Sequence, residues 1–157
     1  MTSEEMGTKA KELMKKKFHC SQAVLAAGQE KLGISSPEVV KAVGLYGGGI
    51  SGTGEVCGAL LGGIALISSL YSRANLEDKE SPKMWKLGHM LDKRFSEITS
   101  QFGGKLCRDI ARVDWGDRDQ VNAFYKNQDS RHKYCYEVVE ETARALCEIL
   151  EKEVIGK

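Results

Sequence analysis

The segment from Val56 to Leu70 is apolar along its length and carries no charged residue, and the glycine-rich run Gly47-Gly48-Gly49-Ile50-Ser51-Gly52-Thr53-Gly54-Glu55 leads into it. A helix that is apolar nearly all round is stable only when other helices surround it. This stretch therefore demands a bundle with itself at the centre. At about 15 residues, several of them Gly and Ser, it falls short of the ~20 needed to span a bilayer, so no membrane partner is expected. Its small residues Gly58, Ala59, Gly62, Gly63 and Ala65 let neighbouring backbones, or a cofactor, approach closely.

The punctuation elsewhere is helical. Pro37 and Pro82 each follow a serine, the N-cap and N1 pairing that starts helices. The pattern predicts a first helix over about Ser3 to Lys17, with Met6, Ala10, Leu13 and Met14 on one face, and a second from Cys20 to Leu32, stopped by Gly33. A third runs from Pro37 to Leu45, with Val39 to Val43 readable as a strand instead. The apolar helix spans about Glu55 to Tyr71. A fifth begins at Ser81-Pro82 and ends near Phe102, with Trp85, Leu87, Leu91, Phe95 and Ile98 as its core face. A short helical turn covers Leu106 to Val113, Asp114 to Asn127 reads as polar and irregular, and a last helix spans about Asp129 to Val154. No repeat or linker interrupts the chain. The expectation is all-α: residues 1–157 as one helical bundle whose glycine-rich loop feeds a central apolar helix.

With 157 residues the chain can bury a core without covalent staples. Its 23 Lys and Arg balance 22 Asp and Glu, so no net field draws it to nucleic acid. Lys15-Lys16-Lys17 reads as a solvated helix end. The polar, acidic start has no secretory pattern, which makes the cytoplasm the expected location. Five cysteines, an odd number, in a reducing compartment argue for metal binding or redox work over a disulfide framework.

No C-x-x-C pair occurs, so what distinguishes the cysteines is where they fall on the helices. Cys57 sits at the start of the apolar helix, where backbone N–H groups favour a thiolate, and a depressed pKa is expected there. Cys20 opens a helix, Cys107 follows a Gly-Gly break, and Cys135 lies early in the last helix. Cys147, among Ala143, Leu146 and Leu150, is expected to pack as a small hydrophobe. Gly52, Gly54 and Gly58, lacking Cβ atoms, can bring backbone amides against sulfur or another anion. His19 and His132 keep a thiolate-histidine zinc site open, although both read first as exposed helix-end residues. His89 reads as a partly buried packing residue, and the mixed charges from Arg108 to Asp119 as a solvated or salt-bridged surface.

Cys57-Gly58-Ala59-Leu60-Leu61-Gly62 carries a CGAxxG motif. With Cys20-Ser21-Gln22-Ala23-Val24, the triple-glycine approach, the stretch Phe102 to Cys107 and a closing Cys135, the chain resembles the redox-active proteins labelled C_GCAxxG_C_C. The resemblance implies that Cys20, Cys57, Cys107 and Cys135 act together and leaves Cys147 outside the set. The segment is also similar to the iron-sulfur portion of split-Soret cytochromes, which implies a cluster held by those four thiolates, with Gly52, Gly54 and Gly58 close to it.

Three functions compete on these residues. The first is an iron-sulfur protein for electron transfer or redox sensing, with an unidentified redox partner. The second is a thiol-disulfide protein in which Cys57 attacks and another cysteine resolves. The third is a zinc-stabilised or metal-free interaction module. Symmetric dimers are the commonest assemblies, so a homodimer is the expected state.

Overall fold

The computed structural model describes residues 1–156, and among them the chain forms eight α-helices and no strand. Helix α1 (Ser3–Lys15) starts with a capping box: the Glu5 N–H donates to Thr2 Oγ1 at 3.1 Å, and the Thr2 N–H donates to Glu5 Oε2 at 2.7 Å. This satisfies two donors that a helix start otherwise leaves unpaired. Helix α2 (Cys20–Leu32) ends on Gly33, whose φ of +68° is the left-handed stop that glycine adopts without strain. After α3 (Pro37–Ala42) and a 3-10 turn (Gly44–Tyr46), the glycine-rich loop leads into α4 (Gly58–Tyr71). Helix α5 (Lys83–Thr99), the short α6 (Cys107–Ile110), α7 (Arg118–Lys126) and α8 (His132–Leu150) complete the bundle, and α8 runs on as a π-helical turn, Glu151–Ile155.

Helix α4 lies at the centre, against α2, α5 and α8, while α1 packs along α8. Its contact with α2 is backbone to backbone: a Cβ on Gly62 would lie 2.1 Å from the Ser21 carbonyl oxygen. Any side chain there would force the two helices apart. The fully buried Leu25, Leu66, Leu91, Phe95 and Leu146 fill the space between helices, each worth about 1.5–3 kcal/mol of apolar burial. The buried Ser21 hydroxyl donates to the Val43 carbonyl oxygen at 2.7 Å and ties the end of α3 to α2. No helix among the described residues is long and apolar enough to cross a membrane.

Helix existence and order follow the sequence pattern, and the departures are local. Residues 39–43 are helix and turn, not strand. Helix α4 starts at Gly58, not Glu55, because the residues before it pair with a second segment. Trp85, expected on the core face, is 60% exposed and donates its indole N–H to Glu80 Oε2 at 3.2 Å. Leu87, Leu91 and Phe95 suffice for that face, and His89 is exposed as well. The stretch expected to be irregular contains α7, started by the Asp117 carboxylate, which accepts from the N–H groups of Asp119 and Gln120. That N-cap offsets the weak apolar pattern of the segment.

Candidate functional site

The loop before α4 is a left-handed coil. Gly48, Gly49, Ile50, Ser51 and Gly52 have φ values of +65°, +66°, +66°, +55° and +69°. Left-handed backbone costs an L-residue about 1–2 kcal/mol, so the glycines remove most of the strain and Ile50 and Ser51 carry the remainder. Hydrogen bonds close the coil, from the Gly54 N–H to Gly48 O at 3.0 Å and from the Glu55 N–H to Gly49 O at 2.9 Å.

The chain then extends and pairs antiparallel with the residues before α6, around Val56 and Leu106. The Cys57 N–H donates to Lys105 O at 3.0 Å and the Cys107 N–H to Glu55 O at 2.6 Å. Side chains alternate across such a pair, so Cys57 and Cys107 are diagonal neighbours on the face opposite Val56 and Leu106. Arg108 fastens the junction, with Nε donating to Gly54 O at 2.9 Å and Nη2 to Glu55 Oε1 at 2.5 Å. A Cβ on Gly49 would sit 2.5 Å from the Cβ of Cys107, so the loop passes directly over that cysteine.

Cys20 enters from the first position of α2, and Cys57 is the N-cap of α4. The two thiols act as a pair. A hydrogen bond from Cys57, with backbone N–H groups of Ser21 and Gly58, holds the Cys20 thiol below its ordinary pKa despite burial. The Cys57 thiol is pushed well above the ordinary range by that same bond and by burial, against a single opposing backbone contact at Ala59. The helix-start argument therefore applies to Cys20 rather than to Cys57. Cys20 collects the amide donors and ionises before Cys57, which holds its proton to higher pH.

Cys107 is buried, which raises its pKa, while the Trp115 indole N–H donates to its sulfur at 3.4 Å and acts the other way. Burial also raises the pKa of Cys135, in the first turn of α8. All four cysteines line one cavity of about 320 Å3. Cys147 lies outside it, fully buried in the core, with its thiol donating to Glu151 Oε1 at 3.6 Å and its pKa pushed up to about 11, chiefly by burial. Among the described residues, no three His, Cys, Asp or Glu side chains converge as the ligand set of one metal ion.

Of the glycines expected near the thiols, Gly58 lines the cavity and lends its N–H to Cys20. Gly52 and Gly54 line a separate groove beside Arg108 and serve the loop backbone. His19 is exposed at the cavity rim. His132 is half-buried, contrary to the exposed position expected, packed between the tilted rings of Phe124 at 4.7 Å and Tyr136 at 4.3 Å, with burial lowering its pKa. Sequence reasoning missed the aromatic wall: Trp115, Phe124, Tyr125 and Tyr136 all face the cavity. The available signal was Trp115 and the Phe124-Tyr125 pair standing in a mostly polar stretch that contains the N-cap aspartate Asp117.

A family model described as "Putative redox-active protein (C_GCAxxG_C_C)" matches residues 18–149. That label writes the core as GCA, whereas this chain has cysteine before glycine, at Cys57-Gly58-Ala59. An "Uncharacterized protein" of Archaeoglobus fulgidus is 39% identical over 69 residues, 43% of this chain and 45% of that protein. The chain thus spans less than half the length of that relative. No solved structure matches.

Proposed function

Because the chain belongs to the redox-active C_GCAxxG_C_C family, we propose that Cys20, Cys57, Cys107 and Cys135 hold an iron-sulfur cluster used for electron transfer or redox sensing. One observation carries this reading: four cysteines from four separate parts of the chain line a single cavity, and the fifth does not. Four thiol donors are the usual ligand set of such a cluster. The volume of about 320 Å3 that they line leaves room for a group of several atoms.

A bound cluster supplies reversible one-electron storage. The chain's own residues prepare the site. The Ser21 and Gly58 amides stabilise Cys20 as thiolate, the form that ligates. Trp115 donates to the Cys107 sulfur, and Phe124, Tyr125 and Tyr136 restrict water. Anaerobically purified protein is expected to be brown, with iron and acid-labile sulfide in matching amounts. A colourless, iron-free preparation overturns the reading.

The Cys20–Cys57 pair favours a second reading, thiol-disulfide exchange. The Cys20 thiolate attacks a disulfide of a partner and releases one of its thiols. Cys57 then attacks the mixed disulfide, releases the second thiol and leaves a Cys20–Cys57 bond. Two electrons and two protons pass to the partner. Oxidised glutathione then removes two free thiols reversibly, and Cys57→Ser abolishes that change.

A further inference from the structure

We infer that the mouth of the four-cysteine cavity binds a planar aromatic molecule carrying an anionic group. The inference rests on reading this cavity as the redox site, and names the kind of small molecule that meets it. Its volume of about 320 Å3 is far more than a few waters need and falls within the range of small-molecule pockets. Exposure increases from floor to rim: Cys57 and Cys107 are each 9% exposed, whereas Phe18 is 38% and Tyr125 57% exposed. Cys57 and Cys107 thus lie at the floor, Cys20 and Cys135 are less deeply buried, and the outer part is walled by rings.

Those rings present faces and edges in a continuous array. His132 packs against Tyr136 at 4.3 Å with its ring tilted by 33°, and Tyr125 meets His132 edge-on at 5.1 Å and Phe124 at 5.2 Å. Five of the chain's Phe, Trp and Tyr residues line this one cavity, although such residues make up only 7% of the sequence. Offset and edge-to-face contacts of this kind favour a flat aromatic guest. Charge gives its sign. Lys15 and Lys17 stand at the rim, and among the described residues no Asp or Glu lines the cavity. Lys15 Nζ lies 5.8 Å over the Tyr136 ring, which keeps a positive charge at the edge of the ring array. In a chain whose charges nearly balance, this opening is selectively cationic.

The test is isothermal titration calorimetry with anthraquinone-2-sulfonate, performed both on protein as isolated under anaerobic conditions and on metal-free protein. The expected result is saturable 1:1 binding. Tyr125→Leu and Lys17→Gln, both at exposed side chains, each weaken it about tenfold with unchanged circular dichroism. The planar cation proflavine binds about tenfold or more weaker than the anion. Absence of saturable binding, unchanged affinity in folded variants, or equal binding of proflavine overturns the inference. Iron measured on the same samples reports separately on the cluster.

Discussion

Gly58 stands so close to Cys20 that a Cβ on it would lie 2.6 Å from the cysteine sulfur and 2.8 Å from the Tyr46 carbonyl oxygen. One contact is a side chain that could turn away, but the other is backbone. The glycine after Cys57 is thus a spatial requirement of the Cys20–Cys57 pair, and its N–H is one of the donors that stabilise Cys20.

Gly58→Ala overpacks this junction. It is expected to cost about 1–3 kcal/mol of stability, read as a lower denaturant midpoint at unchanged slope. Unaltered stability would show that the loop and α2 are not locked together at this point.

In metal-free protein the Cys20 thiolate forms at lower pH than that of Cys57, since their shared proton stays on Cys57. Iodoacetamide labelling followed by peptide mass spectrometry is expected to find Cys20 modified several-fold ahead of Cys57 near neutral pH. Cys57→Ala removes the strongest stabiliser of that thiolate and slows Cys20 labelling. Cys57 reacting first would reverse the assignment.

Cys147 keeps its proton up to about pH 11 in the folded chain, whereas an unfolded cysteine loses it near about pH 8.5. Between those values the unfolded state binds fewer protons, so stability falls as pH rises. Buried Cys57, Cys107 and Cys135 contribute in the same direction, so the comparison must be with a single variant. Cys147→Ala is expected to flatten the alkaline decline of the metal-free protein's melting temperature, at a cost of about 1 kcal/mol near neutrality. Parallel curves for the two proteins would contradict this.

Trp115 donates its indole N–H to the Cys107 sulfur at 3.4 Å. A donor to a ligand sulfur stabilises the reduced, more negative state of a cluster. Trp115→Phe keeps a ring and loses the donor, and voltammetry is expected to show a more negative potential. An unchanged or more positive value would mean that Trp115 only fills space.

The all-helical fold was legible because the apolar α4, the Ser-Pro starts and the Gly33 stop are local signals. That Cys20, Cys57, Cys107 and Cys135 fall together along one cavity was legible through motif and helix position together. Two features were not, for the same physical reason. Cys20 taking the thiolate in place of Cys57 depends on amides contributed by two helices, and no single-helix argument contains both Ser21 and Gly58. The aromatic wall depends on α7 and α8 meeting across the cavity, where the Phe124 and His132 rings come within 4.7 Å, a contact between two elements that neither helix pattern contains by itself. Arg108, read as part of a solvated or salt-bridged charge cluster, fastens the glycine loop through the Gly54 carbonyl oxygen, a partner distant in sequence.

Iron content per chain across five single serine variants tests the four-cysteine site most directly. Anaerobic Cys20→Ser, Cys57→Ser, Cys107→Ser and Cys135→Ser proteins are expected to lose most of their iron and acid-labile sulfide while remaining helical. Cys147→Ser is expected to retain both at the level of the unmodified chain. Full iron in Cys107→Ser or Cys135→Ser, or its loss in folded Cys147→Ser, would contradict a cluster held by the cavity's four cysteines.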